Sequence, residues 1–230
     1  MENNKNLISV LVSTYNNENT IEKSIKSIMN QTYNNIEILI NDDGSNDSTY
    51  EICKKLAEDN KIIRLFKNKQ NLGLTKSLNI LINNSSGEFI ARTDADDFNE
   101  PNRLEKQLYF LKYKNLDACT TRAYKLNTKN KVPGISFYIP RKLLIKFKNP
   151  FIHGTLLIKR EVLEKLNNYD ENFYYAQDYK LMKDLIDNNF KISILNSQLY
   201  FLNMNNNIST LFKDKQNYYA DCVRKNKIPS

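Results

Sequence analysis

The sequence predicts an α/β protein with a doubly wound, mostly parallel central sheet flanked by helices. Apolar runs rich in β-branched residues alternate with amphipathic helical stretches through about the first hundred residues. These runs are nearly continuous, as in strands that are buried on both faces of a parallel sheet. The 230 residues suffice for one such domain with a sizeable core. Ligands of such sheets bind at the carboxyl ends of the strands, so the residues that follow each strand are the candidates for function.

In the first half, strands and helices are expected in strict alternation. The strands are predicted at 7–13, 36–40, 62–66 and 89–93. The first helix should begin at a cap formed by Asn19 or Thr20, and the second at a capping box over residues 48–51. The apolar faces of the three helices are formed by Ile21, Ile25, Ile28 and Met29, by Ile52, Leu56 and Ala57, and by Leu74, Leu78 and Leu81.

The second half is less regular and is expected to form a smaller region of the same domain. Its predicted elements are a helix opened by Pro101, a strand at 118–121, an exposed loop or hairpin at 125–137, a strand at 155–158, and helices at 160–166 and 178–186. We therefore divide the chain into residues 1–100, residues 101–212 and a basic C-terminal tail, 213–230. Tyr218 and Tyr219 are the expected anchors of that tail.

Charge and composition limit the partners and the compartment. Thirty-four Lys and Arg against 26 Asp and Glu give a net charge of +8, which favours anionic partners: nucleic acid, a membrane surface or a phosphate-bearing substrate. The lysines are spread along the whole chain, which argues against nucleic acid. Three widely spaced cysteines favour neither a disulfide framework nor a zinc site. We expect a cytoplasmic protein, since residues 1–6 are polar and no apolar run approaches the ~20 residues of a membrane span.

One basic segment has two interpretations. Arg141, Lys142, Lys146 and Lys148 interleave with the apolar residues of 143–147. The segment either lies on an anionic membrane surface as a peripheral contact or covers the sheet with its lysines in water. The oligomeric state is left open by the sequence.

The stretch from Phe89 to Asp97 carries the strongest chemical pattern, because an apolar strand runs directly into three acids. At the end of a strand, Asp94 and Asp96 point to the same side, so their carboxylates converge. Mg²⁺ or Mn²⁺ would relieve that repulsion, and such ions bind carboxylate oxygens together with substrate phosphates. The alternative is an acidic, solvated turn.

Three strand ends are followed by polar clusters, and further short motifs lie between and after them. The stretches concerned are 9–16 (SVLVSTYN), 27–33 (SIMNQTY), 41–45 (NDDGS), 71–74 (NLGL), 94–97 (DADD) and 176–179 (AQDY). In these the chain resembles, from residue 7 to about 190, the family-2 inverting nucleotide-sugar glycosyltransferases of the GT-A fold. The resemblance implies transfer of a hexose or N-acetylhexosamine from a UDP-sugar to a glycan or lipid-linked acceptor, with Mn²⁺ or Mg²⁺ as cofactor. The net positive charge, the basic segment 141–148 and the lack of a membrane span place the expected setting, polysaccharide or lipopolysaccharide synthesis, at the inner face of the cytoplasmic membrane. Residues 1–100 are expected to form the nucleotide-sugar half and residues 101–212 the acceptor half.

For the nucleobase, the resemblance implies that Tyr15 stacks on the ring, with Ser13 and Thr14 beside it. Asp43 matches the position that accepts a hydrogen bond from the uracil ring N–H. Tyr15 could instead pack on the sheet edge as an ordinary loop aromatic. For Asp42, the neighbour of Asp43, the structural alternative is a helix cap or a turn former.

For the ribose, diphosphate and metal, the resemblance implies further positions. Asn71, Gly73 and Lys76 would hold ribose or phosphate, although Lys76 could equally be a solvated helix residue. Asp94 resembles the acid that contacts the ribose, and Asp96 resembles the principal metal ligand.

Two neighbours of these acids carry open alternatives. Asp97 either assists the metal through water or caps the following helix. Arg92 either balances the acids or forms a strand-end salt bridge.

On the acceptor side, the resemblance implies that Asp178 is the general base of a single in-line displacement. It stands where the family usually carries Glu-Asp or Asp-Asp. Gln177 departs from the first acid and is assigned, like His153, to the acceptor or metal side. The alternative for Asp178 is an acid favoured at a helix N-terminus. His153 is the single histidine, so a His-based triad is excluded by number. Its role is either structural or on the acceptor or metal side.

Two other function classes stay open. A nucleotidyltransferase would also use a nucleotide, a metal and strand-end acids, but a Gly-rich basic loop should then follow the first strand, where residues 15–18 read YNNE. A catalytically inactive subunit that binds a nucleotide sugar or a membrane is the second. Dehydrogenases and P-loop enzymes are disfavoured because neither a G-x-G-x-x-G nor a G-K-[ST] motif is present.

Overall fold

The computed structural model describes residues 5–126, 128, 130–204 and 212–229 of the chain. Its strands are β1 Ile8–Thr14, β2 Ile36–Asp42, β3 Ile63–Lys67, β4 Phe89–Arg92, β5 Phe98–Asn99, β6 Ala118–Lys125, β7 Lys131–Val132, β8 Leu157–Lys159 and β9 Ile192–Leu202. They form one mixed sheet in the order β3-β2-β1-β4-β8-β6-β9-β5, with β7 paired to β6.

The helices cover both faces of this sheet. They are α1 Ile21–Met29, α2 Thr49–Asp59, α3 Leu74–Asn84, α4 Arg103–Tyr113, α5 Arg141–Leu144, α6 Arg160–Lys165, α7 Gln177–Asp187 and α8 Lys213–Arg224. The apolar residues of α1, α2 and α4 join one buried cluster, and those of α3, α6, α7 and α8 join the other. The predicted doubly wound α/β architecture is therefore confirmed.

The two clusters follow from strand periodicity. In β1, Ile8, Val10 and Val12 face the first cluster, whereas Leu11 faces the second. Since all of these side chains are completely buried, the strand reads as a continuous apolar run.

Parallel pairing brings the ends of β1, β2 and β4 to one edge. β1 lies between β2 and β4 and is parallel to both, with Thr14 opposite Asp42 and Leu11 opposite Arg92. β3 extends the parallel set beyond β2. The polar residues that follow these strands consequently share the carboxyl edge of the sheet.

The second half contains the main departures from the sequence prediction. β9, an 11-residue strand, was not predicted, because half-buried and polar positions such as Asn196 and Gln198 interrupt any alternation. It pairs in parallel with β6 through two register shifts, while β8 runs antiparallel to β4 and β6. The strand predicted at 155–158 begins later, since His153–Thr155 forms a 3₁₀ turn. The hairpin interpretation of 125–137 is confirmed by the pairing of β7 with β6, although residues 127 and 129 lie outside the described part.

The predicted capping box at 48–51 is wrong. Ser48 occupies the N-cap of α2, but its side chain makes no capping hydrogen bond. Instead Oδ1 of Asp47 accepts from the Thr49 amide at 3.0 Å, so the preceding residue satisfies the helix start.

The predicted tail contains the helix α8, and its anchors differ from the prediction. Cys222 and Val223 are buried in the cluster that also contains α7, in addition to the partly buried Tyr219. All three cysteines are buried and free. Among the described residues, no helix has both the length and the apolar character that crossing a bilayer requires.

Candidate active site

The strand-end clusters predicted from the sequence meet at the carboxyl edge of the parallel sheet. The amide of Asp43 donates to the carbonyl of Thr14 at 2.8 Å, which joins the ends of β1 and β2. The amide of Thr93 donates to the carbonyl of Leu11 at 3.2 Å, which joins the end of β4 to β1. Parallel pairing thus brings together residues that are some 30 to 80 positions apart in the chain.

Asp43 is buried and organises the loop that follows β3. Its Oδ1 accepts from Nδ2 of Asn68 at 2.7 Å and from the amide of Leu72 at 2.8 Å. Its Oδ2 accepts from the amide of Gly73 at 2.9 Å. The carboxylate therefore fixes the backbone of Leu72 and Gly73 against the end of β2, since hydrogen bonds to an ionised acceptor are about twice as strong as neutral ones.

Asp42 has the structural role that was its alternative. Its side chain is completely buried, and its Oδ2 accepts from the amide of Ser45 at 3.3 Å. Asp42 is thus a turn former at the end of β2.

The end of β1 presents an exposed ring. Tyr15 is 41% exposed, and its amide donates to Oδ1 of Asn17 at 3.2 Å. Thr14 is buried and its hydroxyl also donates to Oδ1 of Asn17, at 3.1 Å, while Ser13 is half-buried. The turn is fixed locally, so the tyrosine ring is free to contact a ligand.

Two donor-side candidates are at the surface. Asn71 and Lys76 are both exposed, and Lys76 lies in the first turn of α3. Gly73 is buried, with φ +89°, a left-handed conformation that favours glycine.

Asp94 forms an ion pair with Arg92. Arg92 is 1% exposed and its Nη1 also donates to the carbonyl of Leu11 at 3.2 Å. The Asp94 side chain stays about one-third exposed, and its Oδ2 faces Gly154, where a Cβ would lie 2.5 Å away. The strand-end salt bridge is therefore present, and it holds one oxygen of Asp94 while the other borders the 3₁₀ turn.

The three acids after β4 are close enough to perturb one another. Burial, and then the charge of Asp94, raise the pKa of Asp96 to about 6. Burial also raises the pKa of Asp97, with the charges of Asp94 and Asp96 adding to the effect. Asp97 does not cap the next helix: its Oδ1 accepts from the amide of Asn203 at 2.7 Å, and α4 begins later, after Asn102.

The donor set was compared with what a divalent cation requires. Among the described residues, no cluster of three or more His, Cys, Asp or Glu side chains forms a complete metal cage. Asp94 and Asp96 nevertheless supply carboxylate oxygens, and the pKa of Asp96 is raised by burial first and then by the charge of Asp94. Mg²⁺ is commonly bound by one or two carboxylates together with substrate phosphates and water, so this pair fits a cation shared with a diphosphate.

A second buried arginine supports the same edge from below. Arg103 is completely buried; its Nη2 donates to Oγ1 of Thr93 at 3.1 Å and its Nη1 to the carbonyl of Gly154 at 3.3 Å. Its guanidinium lies 5.6 Å from the ring centre of Tyr200, whose hydroxyl accepts from the amide of Asp94 at 2.9 Å. Arg103 therefore links Thr93, the residue before Asp94, to Gly154, which Oδ2 of Asp94 faces.

Asp178 stands in the first turn of α7, after an alanine with unusual backbone geometry. Ala176, the N-cap residue, has φ 53° and ψ 23°, a left-handed conformation that costs an L-residue about 1–2 kcal/mol. Oδ2 of Asp178 accepts from Nδ2 of Asn149 at 2.7 Å. Burial raises the pKa of Asp178, and the charge of Asp94 adds to the increase. Asn149 therefore holds Asp178 at the start of α7, with half-buried Gln177 beside it.

His153 lies between these two groups of residues. Its Nε2 is 2.7 Å from the hydroxyl of Tyr169, and the two rings meet edge to face at 5.6 Å. Burial, and then the charge of Arg92, hold the pKa of His153 well below its usual range. The imidazole is thus held by a buried tyrosine, and the next residue, Gly154, borders Asp94.

Several residues of the site were missed by sequence reasoning. These are Asn68 and Tyr174 near Asp43, Arg103 and Tyr200 near Asp94, and Asn149 and Tyr169 near Asp178 and His153. Two local signals existed: Asn149 precedes a proline, which is typical of a turn, and Tyr174 belongs to an aromatic pair just before the 176–179 motif.

A cavity of about 280 Å³ adjoins Asp178 through Asn149. Its wall combines two lysines with apolar residues, among them Lys125, Lys148, Pro133, Phe151 and Met204. Asn149 both lines this cavity and donates to Asp178, so the cavity and the acid share one neighbour.

The fold and the site define a class: an α/β protein that gathers acids at the carboxyl edge of its parallel strands. Within that class, the chain belongs to a known family, because the family model described as "Glycosyl transferase family 2" matches residues 9–167. The protein is thus a member of a family of glycosyltransferase enzymes with the GT-A fold, as the sequence predicted.

Two curated relatives support this assignment. An uncharacterized glycosyltransferase of Haemophilus influenzae is 30% identical over an alignment of 242 positions, gaps included. The alignment covers 96% of this chain and 73% of the relative. The UDP-Glc:alpha-D-GlcNAc-diphosphoundecaprenol beta-1,3-glucosyltransferase WfgD of Escherichia coli is 32% identical over 192 residues, which span 83% of this chain and 73% of that protein.

Two solved structures share the fold. S. aureus TarS 1-349 in complex with UDP-GlcNAc superposes with a TM-score of 0.73 at 23% identity, over 87% of this chain and 59% of TarS 1-349. The mannosyltransferase PcManGT of Pyrobaculum calidifontis, in complex with GDP-Man and Mn²⁺, superposes with a TM-score of 0.75 at 19% identity, over 96% and 65% of the two chains. The chain therefore spans about three-fifths of these solved chains, and at such identities the likeness concerns the fold alone.

Proposed function

We propose that this protein transfers a hexose or N-acetylhexosamine from a UDP-sugar to a glycan or lipid-linked acceptor, with inversion at the anomeric carbon. The observation that carries the proposal is the meeting of the ends of β1, β2 and β4 at one edge of the sheet, which gathers Asp43 and the acids that follow β4, while Asp178 stands separately at the start of α7. One group of acids suits the donor, and a separate acid suits the acceptor hydroxyl.

The nucleoside of the donor is proposed to lie between Tyr15 and Asp43. Tyr15 offers an exposed ring for stacking. Asp43 makes a single hydrogen bond through Oδ2, to the Gly73 amide, so a second lone pair of that oxygen is available for a uracil N–H. Ser13, Thr14, Asn71, Gly73 and Lys76 would line the ribose and diphosphate, and TarS, which was solved with UDP-GlcNAc, supports a uridine donor.

A divalent cation is proposed as cofactor, held by Asp96 with Asp94 facing the ribose. When bound, Mn²⁺ or Mg²⁺ would stabilise the charge that develops on the leaving diphosphate. The structure of PcManGT with Mn²⁺ supports the choice of metal. The contribution of the chain itself is the position of the end of β4, where Arg92 pairs with Asp94 and Arg103 donates to the hydroxyl of Thr93.

Asp178 is proposed as the general base. Its carboxylate would take the proton of the acceptor hydroxyl while the acceptor oxygen bonds to the anomeric carbon and the bond to the UDP oxygen breaks. The electron pair of that bond leaves with UDP, and one displacement inverts the centre once. The raised pKa of Asp178 makes it a stronger base than an exposed aspartate, while Asn149 orients the carboxylate.

The cavity beside Asn149 is proposed as the entrance for the acceptor. Two lysines suit a phosphate, and the apolar wall suits a sugar face or a lipid. The E. coli relative acts on a diphosphoundecaprenol-linked acceptor according to its name, which supports a lipid-linked acceptor here.

The surface next to this cavity suits a peripheral contact with an anionic membrane, at the cytoplasmic face. Ile135, Tyr138, Leu143 and Phe147 are all more than half exposed. Arg141 is held by the carbonyls of residues 137 and 139, and Leu144 and Ile145 are buried, so the segment is not a free amphipathic helix. The exposed lysines of 142–148 would accompany the apolar residues toward the headgroups.

A panel of nucleotide sugars tests the proposal. The protein is incubated with Mn²⁺ and each donor, and the slow release of UDP is measured with wild type and with Asp178→Asn. UDP release from one UDP-sugar, together with a product of inverted configuration by NMR, is the expected result. A retained configuration overturns the mechanism, and release of pyrophosphate from UTP and a sugar phosphate would instead identify a nucleotidyltransferase. Tight UDP-sugar binding without turnover on any acceptor would favour an inactive subunit.

A further inference from the structure

Tyr174 packs on Gly73, beside the proposed nucleobase site, although it belongs to the second half of the chain. Its ring lies on Gly73: a Cβ at Gly73 would be 2.3 Å from Cε2 and 2.8 Å from Cζ of Tyr174. Gly73 is also the residue whose amide donates to Asp43 at 2.9 Å. The tyrosine ring therefore packs on the residue that donates to Asp43, the acid proposed to accept a hydrogen bond from the nucleobase.

Asp43 and Tyr15, the two proposed nucleobase contacts, both influence the pKa of Tyr174. Burial, and then its neighbour Tyr175, raise the pKa of Tyr174, and Asp43 and Tyr15 add to the increase. The rings of Tyr15 and Tyr174 are each nearly half exposed, so both present a face to solvent. Two accessible aromatic rings from different halves of the chain thus border one acid.

We propose that Tyr174 forms the second wall of the nucleobase site, opposite Tyr15, and so contributes to donor affinity. This inference rests on the proposed function, because it requires the nucleobase to bind beside Asp43. Aromatic rings stack on nucleobases through their π-faces, and such contacts act independently of the hydrogen bonds that read the base.

Tyr174 also lies close along the chain to Asp178, the proposed general base. Tyr174 precedes Asp178 by four residues, with the left-handed Ala176 between them. On its other side the ring of Tyr174 lies 5.0 Å from that of Tyr175, which in turn lies 5.5 Å from the ring of Tyr219 on α8. Tyr174 thus contacts Gly73 of the first half and, through Tyr175, the aromatic residues of α8.

The absence of tryptophan from the chain permits a direct test. Tyr174→Trp places a single tryptophan on Gly73, and Tyr109→Trp places one on the exposed face of α4 as a matched control. Titration with UDP should change the emission of the first variant in a saturable manner and leave that of the control unchanged. An unchanged emission of Tyr174→Trp, in a protein that binds UDP by calorimetry, overturns the inference.

Affinity measurements provide the second readout. Tyr174→Ala should weaken UDP binding by about 10- to 100-fold, while Tyr174→Phe should bind UDP nearly as wild type does, because it keeps the ring. UDP affinity of Tyr174→Ala equal to that of wild type would contradict the stacking role. If wild type itself fails to bind UDP, the proposed function fails first, so the two failures are distinguishable.

Discussion

Asp43 offers the sharpest test of how the donor site is held. In Asp43→Asn, an amide with one oxygen and one NH₂ replaces a carboxylate that accepts from Asn68, Leu72 and Gly73. Whichever way the amide turns, at least one of these donors meets another donor. The variant keeps the size of the side chain, so it isolates the loss of hydrogen bonding.

The expected cost follows from those three bonds. A buried donor left without an acceptor costs about 1–3 kcal/mol, and each remaining bond loses about 1 kcal/mol when its acceptor becomes neutral. We expect a loss of about 3–5 kcal/mol in the free energy of unfolding. For a chain of this size, that corresponds to a fall in Tm of about 6–20 °C.

Urea unfolding and a thermal melt measure this effect. Asp42→Asn is the matched control, because the same chemical change at the neighbouring residue affects a longer bond, from the amide of Ser45 at 3.3 Å. The control should lose less than about 1 kcal/mol. If Asp43→Asn unfolds within about 0.5 kcal/mol of wild type, the carboxylate does not hold the loop after β3.

The remaining predictions concern catalysis, metal and membrane. Asp178→Asn should lower transfer by about 10² to 10⁴ while UDP affinity scarcely changes, since the amide can still accept from Asn149 but cannot take a proton; near-normal turnover would place the base elsewhere. The base must be ionised and its pKa is raised, so kcat/KM should fall as the pH decreases, and this fall should begin at a higher pH than for an exposed aspartate. A kcat/KM that stays constant on the acid side would contradict this. Asp96→Ala should lose metal-dependent UDP affinity in calorimetry, and full wild-type activity in EDTA would rule out the metal. Phe147→Glu should reduce flotation with anionic liposomes, and binding that is insensitive to both salt and this change would exclude the membrane role.

The sequence by itself determined the architecture of the first half of the chain. A strand such as β1 is apolar at nearly every position because both of its faces are covered, and that pattern is visible without any structure. The order of strands and helices then places residues 13–15, 43 and 94–97 at one edge, because parallel strands share a carboxyl end.

Tertiary structure decided what local patterns do not encode. β9 is a strand because β6 and β5 supply its hydrogen-bond partners, although its own residues do not alternate. Arg103, a charged residue in an exposed-looking helix start, is completely buried because the carbonyl of Gly154 and the hydroxyl of Thr93 accept from it. Tyr174 meets Gly73 across a separation of 101 residues, and only the packing of the second half on the first creates that contact. Local periodicity therefore fixed the elements and their acids, whereas long-range packing selected the residues that support and enclose them.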